Sequence, residues 1–239
     1  MADDNKQMEG KKKKSLWKKI LILTFLLGLT AMLTGGGLFT YYASQAPAMN
    51  EKALVDPIPT EILDMNGNLI TTIGAKKRQL VTYEEIPSLV ENAVLATEDV
   101  RFYEHAGVDP LRLGAAVIAN IKDGFGAQGG STITQQVIKR SFLTSEKSLE
   151  RKAQEAWLAV KFERNHSKEK ILELYLNKTY YSDNIYGIET AARYYYNKHL
   201  DELTLAQAAL LAGIPQSPTT IILTCIPNGQ KQDVIRFLL

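Results

Sequence analysis

The chain has 239 residues, of which 45% are hydrophobic and 23% are charged, and these values fit a folded protein with one main domain. The formal net charge of +2 identifies no class of partner, because the distribution of the charges matters more than their sum. A single cysteine, Cys225, excludes an internal disulfide bond, so packing alone must hold the fold together.

The N-terminal part of the chain predicts a membrane anchor. Lys11–Lys14 and Lys18–Lys19 form a basic block directly before an uncharged run, 20–42, which is long enough to cross a bilayer as a helix. Trp17 and the pair Tyr41–Tyr42 lie at its two ends, where aromatic belts occur. The lysines predict a single-pass protein of the cytoplasmic membrane, with a cytoplasmic N-terminus and the rest of the chain outside.

A cleaved signal peptide is the alternative interpretation of this segment. Its apolar core would span ~7–15 residues, which is shorter than the run found here, and residues 43–46 make an imprecise cleavage site. An uncleaved anchor is therefore favoured. Beside a membrane span, a basic block acts as a topology signal, so we expect the membrane and no nucleic acid as its partner.

Beyond the anchor, the pattern predicts a mostly α domain with a small β element at its start. Residues 43–59 contain three prolines and no helical period, as in an extended stalk. Thr60–Ile73 alternates in polarity around Asn66-Gly67, which predicts a β-hairpin. From Tyr83 onward the apolar spacing is helical. The expected helices are Glu84–Glu98, Pro110–Asp123, Thr132–Leu143, Ser148–Arg164, Ser167–Lys178, Gly187–Asn197 and Thr204–Ala212.

Charged groups are unusually dense just after the first of these helices. Between Glu98 and His105, five ionisable side chains and two aromatic rings occupy eight positions. Such crowding of acids is typical of a site for acid–base chemistry. The alternative is a solvated helix end followed by a turn at Ala106–Gly107.

A glycine-rich loop, Phe125–Gly130, precedes a helix with hydroxyl and amide side chains, and Lys139–Arg140 follow. Free backbone amides at a helix start suit an anionic or phosphate-bearing ligand. Flexible surface loops have the same composition, so this signal alone is weak.

Two further segments each allow two interpretations. Glu155 lies four residues after Arg151 and three after Lys152, a spacing also typical of an ordinary helical ion pair worth ~0.2–0.5 kcal/mol. The segment Tyr175–Ile188 is rich in tyrosine and amide groups, as are both sugar-binding clefts and helical cores.

Taken together, these features favour transfer between sugars with a lipid pyrophosphate as leaving group. Cations can neutralise a departing pyrophosphate and so replace the general acid that a hydrolase needs. The attacking sugar hydroxyl still requires a carboxylate base. A membrane anchor would keep the site where a lipid-linked substrate lies.

From Asp56 to Thr220 the sequence resembles the peptidoglycan glycosyltransferase domain of class A penicillin-binding proteins and monofunctional transglycosylases. The resemblance rests on five motifs in the usual order and spacing, namely Glu98–His105, Gly130–Gln136, Arg151–Glu155, Ile171–Asn177 and Ala208–Pro215. It implies a mostly α, lysozyme-like fold with a membrane-associated hydrophobic jaw. It also implies polymerisation of lipid II into β-1,4-linked glycan strands, with inversion and release of undecaprenyl diphosphate.

The same resemblance implies the roles of individual residues. Glu98 would deprotonate the acceptor hydroxyl, and Glu155 would assist the departure of the pyrophosphate. Because inversion needs a single displacement, no nucleophilic side chain is required. The implied substrate-binding residues are Asp99, Phe102, His105, Ser131, Thr132, Gln135, Gln136, Lys139, Arg151, Lys152, Asn177 and Tyr186.

No cofactor is implied as a requirement, although some members of the family use a divalent cation, Mg or Mn, for which Asp99 is the candidate ligand. The expected partners are lipid II, the growing glycan chain, the cytoplasmic membrane and proteins of cell-wall synthesis or division. The expected organisation is a basic cytoplasmic tail (1–19), a transmembrane anchor (20–42), a stalk (43–59), the glycosyltransferase domain (60–220) and an atypical tail (221–239).

Two segments depart from the family pattern. Ser182 stands where the resemblance leads us to expect a glycine after Tyr180–Tyr181. After Thr220 the family usually continues with Tyr-Asn-Pro and a basic helix, and codons for the present tail can spell such a sequence one base out of phase. We hypothesise a frameshift that truncates a bifunctional enzyme before its transpeptidase domain; resequencing through Thr220 tests it.

Three rival functions remain open at this point. Ser167–Lys170 and Ser182–Asn184 match two penicillin-recognising motifs, but no Lys-Thr-Gly or Lys-Ser-Gly follows and the two lie close together. A muramidase-like hydrolase could use Glu98 and Glu155. A non-enzymatic membrane scaffold is the third possibility.

Overall fold

The computed structural model describes residues 2–54, 60–67, 69–73, 79–124, 129–144, 146 and 148–216, with side chains in the first helix from Trp17 onward. These residues form a mostly α fold with one two-stranded sheet, which confirms the predicted fold class. The tail at 221–239 and Cys225 lie outside the described residues. The helices are α1 (Ala2–Ser44), α2 (Ser88–Glu98), α3 (Pro110–Asp123), α4 (Ile133–Phe142), α5 (Leu149–Glu163), α6 (Lys168–Lys178), α7 (Ile188–Tyr196) and α8 (Leu205–Gly213).

Helix α1 contains a segment, Trp17–Ser44, that is long and apolar enough to cross a membrane by length and composition. The predicted anchor, 20–42, lies within it. Its four threonines, at positions 24, 30, 34 and 40, each donate a hydroxyl hydrogen bond to carbonyl groups three and four residues earlier. All four hydroxyl groups are therefore hydrogen-bonded, as an apolar surrounding requires. The end of α1, where Ala43 is buried, packs near α5.

The predicted hairpin is confirmed. Strand β1 (Thr60–Leu63) pairs antiparallel with β2 (Leu69–Ile73), and Thr60 faces Ile73. Gly67 in the connecting turn has φ +85°, a conformation that glycine adopts at no steric cost.

One predicted helix start is wrong. The helix expected from Glu84 begins at Ser88 and is preceded by a short 3₁₀ turn, Tyr83–Glu85. Pro87 disfavours a helical conformation at the residue before it, and Ile86 is extended with φ −87° and ψ 112°. The other six helices start and end within one residue of their predicted bounds.

Helix α6 forms the centre of the domain. Ile171, Leu172 and Leu176 are each 0% exposed, and Tyr175 is 1% exposed, so the helix is enclosed by its neighbours. It packs against α4 and α7, while α2 packs against α8 and α4 against α5. Each fully buried aliphatic side chain contributes about 1.5–3 kcal/mol of transfer free energy. The helices that carry the five motifs therefore pack around one core.

Gly107 allows the loop after α2 to lie against the backbone of α5. Its φ is +90°, and a Cβ atom there would lie 2.6 Å from the carbonyl carbon of Ala159. The hydroxyl of Thr132 donates a 2.7 Å hydrogen bond to the Gly107 carbonyl. The glycine thus joins the loop to both α5 and the start of α4.

We predict that Gly107→Ala lowers the free energy of unfolding by about 2–5 kcal/mol, because the new methyl group adds a backbone clash to left-handed strain. Thermal unfolding of the detergent-solubilised chain measures the change. Gly124→Ala is the matched control, since Gly124 has φ +97° but open space around a Cβ atom. Equal destabilisation by both substitutions would show that the close approach contributes nothing.

A tight loop between Tyr180 and Tyr186 contains three consecutive non-glycine residues with positive φ. Asp183 (φ 50°) and Asn184 (φ 61°) lie in the left-handed helical region, whereas Ser182 has φ 87°, beyond it. Ser182 is also the residue that replaces the glycine expected from the family resemblance. The strain therefore falls on the residue that departs from the pattern.

Ser182→Gly is expected to raise the free energy of unfolding by about 1 kcal/mol, because relief of the strain exceeds the extra entropy of glycine in the unfolded chain. Urea unfolding measures it. Asn184→Gly serves as the control and should not stabilise, since asparagine tolerates its φ of 61°. Destabilisation by Ser182→Gly would contradict the assignment of strain to this residue.

Candidate active site

Glu98 ends α2 and is held by two neighbouring helices. Its side chain is buried, and its Oε2 accepts a 2.6 Å hydrogen bond from Nε2 of Gln136 on α4. Its backbone carbonyl accepts a hydrogen bond from Arg112 of α3. A cation at a helix C-terminus is stabilising, so the end of α2 is fixed on two sides.

Asp99 follows Glu98 and connects α2 to α4. Its Oδ2 accepts a 3.0 Å hydrogen bond from the Ile133 backbone N–H and also lies 3.0 Å from Nε2 of His105. Its Oδ1 lies 3.7 Å from Nη1 of Arg112. Because Ile133 is the first residue of α4, this carboxylate satisfies a free N–H group at the start of that helix.

The surroundings of Asp99 do not fit a divalent-cation site. Its Oδ2 is committed to Ile133 and His105. Its Oδ1 has no hydrogen-bond partner in the described part of the chain, but it lies 3.7 Å from the Arg112 guanidinium, whose charge would repel a metal ion. In the part of the chain that the structure describes, no group of three or more His, Cys, Asp or Glu residues could hold a metal.

The second predicted glutamate, Glu155 on α5, lies in a cluster of cations. It is 1% exposed; its Oε2 accepts a 2.7 Å bond from Arg151, and its Oε1 accepts one from Lys152. The Lys152 ammonium also donates to Ser131 Oγ at 2.6 Å, so it joins α5 to the residue just before the N-cap of α4. The burial of Glu155 and the bridge to Ser131 distinguish this cluster from an ordinary exposed helical ion pair.

Lys139 of α4 lies near the same cluster. Its pKa is lowered from the usual value of lysine, first by burial and then by the positive charge of Arg151, against the opposing charge of Glu155. A repulsive field of this kind arises when cations outnumber carboxylates, and an anionic ligand would relieve it.

Helix α4 brings the two glutamates together. Gln136 and Lys139 are three residues apart and therefore share one helix face. Gln136 contacts Glu98, whereas Lys139 lies in the field of Glu155 and Arg151. The two predicted catalytic carboxylates are thereby linked to one face of α4, Glu98 by a hydrogen bond to Gln136 and Glu155 by its electrostatic effect on Lys139.

Several predicted substrate-binding residues are instead buried and structural. Phe102 is 1% exposed in the core, with the Lys168 ammonium 4.4 Å from its ring centroid. Thr132 and Gln135 form a capping box at the start of α4, with hydrogen bonds of 3.1 and 3.0 Å. These side chains are buried among protein groups in this structure, and their contact with a substrate stays a prediction.

Asn177 and His105 also support the walls of the site. The Asn177 side chain accepts from the Val81 N–H at 3.0 Å and donates to the Val81 carbonyl at 2.8 Å. His105 has a side chain only 5% exposed and contacts Asp99. Asn177 thereby holds the segment that leads into α2, and His105 holds the carboxylate that caps α4.

The tyrosine-rich segment divides into core and surface. Tyr175 and Tyr181 are each 1% exposed, so they belong to the core. Tyr186 is half-buried, and its ring centroid lies 5.1 Å from that of Tyr180, which is 40% exposed. Of these rings, only Tyr180 and Tyr186 reach the surface.

Sequence reasoning missed Arg112 and the Glu163–Lys168 pair, and it noted Arg140 only as a positive charge without its contact to Gln136. Arg112 contacts Glu98 and Asp99, and Arg140 donates to Gln136 Oε1 at 3.1 Å. Lys168 lies 2.8 Å from Glu163 and donates to the His105 carbonyl at 2.7 Å. None of these contacts has a local spacing signal except Gln136–Arg140, which has the i,i+4 separation of a helical pair.

A pocket of about 480 Å³ opens between the end of α2 and the start of α3. Its charged lining residues are already paired, because Arg101 contacts Asp109 at 2.6 Å and Arg112 lies 3.7 Å from Asp99. Asp99 lines this pocket, whereas Glu98 and the Glu155 cluster do not.

Comparison with known proteins gives a consistent result. The family model described as Transglycosylase matches residues 66–234. Penicillin-binding protein 1A/1B of Bacillus subtilis is 50% identical over 214 residues, which cover 88% of this chain and 23% of that protein. Penicillin-binding protein 1A of Streptococcus oralis is 45% identical over 204 residues, covering 84% of this chain and 32% of that protein.

A crystal structure of penicillin-binding protein 1A from Haemophilus influenzae is similar over 77% of this chain and 19% of that chain, with a TM-score of 0.36 and 23% identity. This chain thus spans about a quarter to a third of the length of the two relatives above. The family match covers more than half of the chain. The chain therefore belongs to the transglycosylase family.

Proposed function

We propose that this chain is a peptidoglycan glycosyltransferase that joins lipid II to a growing glycan strand and releases undecaprenyl diphosphate. The observation that carries the proposal is the placement of Glu98 and the cation-bound Glu155 beside one face of α4. One half of such a site accepts a proton, and the other half receives a diphosphate. Membership of the transglycosylase family supports the same reaction class.

In the acceptor half, Glu98 acts as the general base. Its Oε2 is held by Gln136, and its Oε1 takes the proton from the acceptor 4-hydroxyl as that oxygen attacks the donor's anomeric carbon. Attack occurs from the face opposite the diphosphate, so the new C–O bond forms as the old one breaks. The bonding electron pair leaves with the diphosphate, and the configuration inverts.

In the donor half, the positive charges of Lys139, Arg151 and Lys152 stabilise the departing diphosphate. Glu155 bonds Arg151 and Lys152 before substrate arrives, so these two cations need little reorganisation during the reaction. Glu155 thus assists departure through the cations that it orients.

The membrane contacts of the chain fit a lipid-linked substrate. Helix α1 contains the candidate span, and α3 exposes a row of apolar side chains, namely Leu111, Leu113, Val117, Ile118 and Ile121. We propose that the N-terminus is cytoplasmic and that the apolar side of α3 faces the outer membrane surface. Cell-wall synthesis or division proteins are proposed as further partners.

The rival functions predict different products. A muramidase-like hydrolase would cut finished peptidoglycan, whereas the proposed enzyme would lengthen glycan from lipid II. The acyl-transfer rival loses its candidate nucleophile, because Ser167 caps α6 by accepting a 3.3 Å bond from the Lys170 N–H. Labelled penicillin should not acylate this chain.

Glu98→Gln is expected to reduce lipid II polymerisation at least about 100-fold, because an amide cannot accept the acceptor's proton. Gel separation of the glycan products measures the rate, and thermal unfolding checks that the fold is retained. Glu104→Gln is the matched control, since Glu104 belongs to the same motif but is exposed. Retained polymerisation by the Glu98 variant would remove the base assigned here.

The lowered pKa of Lys139 predicts a pH effect. As pH rises through this pKa the side chain loses its charge, so kcat/KM should begin to fall below the pH of ~10.4 typical of a free lysine. Lys139→Arg keeps its charge and should move this decline to higher pH, whereas Lys161→Arg, at an exposed position of α5, should not. Superimposable profiles for wild type and Lys139→Arg would contradict the role of Lys139.

A further inference from the structure

We infer that Arg140 is a positioning residue for the general base: it fixes the orientation of the Gln136 amide, which in turn holds the Glu98 carboxylate. This inference rests on the proposed function, in which Glu98 takes the acceptor proton. Arg140 acts through Gln136 and touches no reacting atom.

The geometry defines which way the Gln136 amide must point. Arg140 Nη2 donates to Gln136 Oε1 at 3.1 Å, and Gln136 Nε2 donates to Glu98 Oε2 at 2.6 Å. A guanidinium has donors only, so the amide atom that faces it must be the oxygen. An ionised carboxylate has acceptors only, so the amide atom that faces Glu98 must be the NH₂ group. Both partners therefore select the same amide orientation.

Arg140 itself is anchored on α6. Its Nη1 donates to Thr179 Oγ1 at 2.7 Å, and Thr179 Oγ1 donates to the Tyr175 carbonyl, also at 2.7 Å. The guanidinium carbon lies 5.1 Å from the centroid of the Tyr175 ring, within the range of a cation–π contact. Because Thr179 is 0% exposed and Tyr175 is in the core, the guanidinium is held by a rigid part of the domain.

Tyr175 also supports this arrangement electrostatically. Burial, followed by the negative charge of Glu98, raises the pKa of the Tyr175 hydroxyl, so the ring beneath Arg140 stays a neutral phenol. Glu98 and Tyr175 therefore lie within electrostatic reach of each other. The base, the amide, the guanidinium and the phenol form one continuous set between α2, α4 and α6.

The consequence for catalysis concerns the free oxygen of the base. The amide NH₂ bound to Oε2 restricts rotation of the carboxylate, so that Oε1 is left to face the acceptor hydroxyl. If the Gln136 amide group rotated by about 180°, its oxygen would face a carboxylate oxygen of Glu98, and the two acceptors would repel each other. Glu98 would then rotate away, and a base displaced by about 1 Å can lose roughly 100-fold in rate.

Arginine, rather than lysine, is needed for this task. The planar guanidinium donates through two separate nitrogens, to Gln136 and to Thr179, and it stacks on Tyr175. A lysine ammonium carries the same charge as a single point and cannot reproduce this fork. Arg140→Lys therefore separates positioning from a simple supply of positive charge to the diphosphate.

The test uses the full chain in detergent with lipid II as substrate. We expect Arg140→Lys to lower kcat about 10- to 100-fold while KM for lipid II changes less than about twofold. In a Gln136→Ala background the same substitution should cause no further loss, because the amide that it orients is absent. Arg140→Lys activity within twofold of wild type, a change in KM alone, or additive losses with Gln136→Ala would each overturn the inference.

A second measurement does not depend on activity. In chain labelled with ¹⁵N-glutamine, the side-chain NH₂ signals of Gln136, assigned by their loss in Gln136→Ala, should be shifted and slow to exchange with water. Arg140→Lys should abolish both properties, and Thr179→Ser, which retains the hydroxyl acceptor, should preserve them. Unchanged signals in Arg140→Lys would overturn the inference. If the wild-type chain fails to polymerise lipid II, the proposed function falls, whereas these signals still decide what Arg140 does.

Discussion

The bond between the Asp99 carboxylate and the first N–H group of α4 is the constraint on which the site depends. A buried ionised carboxylate costs several kcal/mol unless it is paired and hydrogen-bonded. Asp99 is 1% exposed, and its Oδ2 meets this condition through Ile133 and His105, at the positive end of the α4 dipole. Its Oδ1 has no hydrogen-bond partner in the described part of the chain and lies 3.7 Å from the Arg112 guanidinium. Because Glu98 precedes Asp99 and Gln136 follows Ile133 by three residues, the same bond sets Glu98 beside Gln136.

This bond is in turn supported from the other side of the domain. Glu163, at the end of α5, lies 3.9 Å from Nδ1 of His105 and 2.8 Å from the Lys168 ammonium. The Lys168 ammonium also holds the His105 carbonyl, and the Thr134 hydroxyl donates to Glu163. The C-terminal end of α5 and the N-terminal end of α6 thus hold His105 in place, and His105 in turn holds Asp99. A base placed on such linked helices keeps its geometry better than one carried on a mobile loop.

The sequence predicted local features well and tertiary ones poorly. The predicted helix ends were close to the observed ones because apolar periodicity and capping residues such as Ser148 and Ser167 act within a few residues. The predicted start at Glu84 was wrong because the conformational restriction imposed by Pro87 outweighed the periodicity. Motif membership predicted that Phe102 matters but could not tell a buried ring from a ligand contact. The Arg140–Thr179 bond joins residues 39 positions apart, and no local pattern encodes a contact of that separation.

The use of α4 by both halves of the site has a mechanical consequence. Gln136, Lys139 and Arg140 lie within about one helical turn, so their side chains cannot move independently of the α4 backbone. Under the proposed function, a displacement of that turn would carry the support of the base and part of the diphosphate site together. In-line displacement requires the attacking oxygen, the anomeric carbon and the leaving oxygen to stay aligned. Movement of one half of the site relative to the other would therefore lower the rate more than movement of the two halves together. A single short helix, anchored at its start by Asp99 and near its end by Thr179 through Arg140, limits that relative motion.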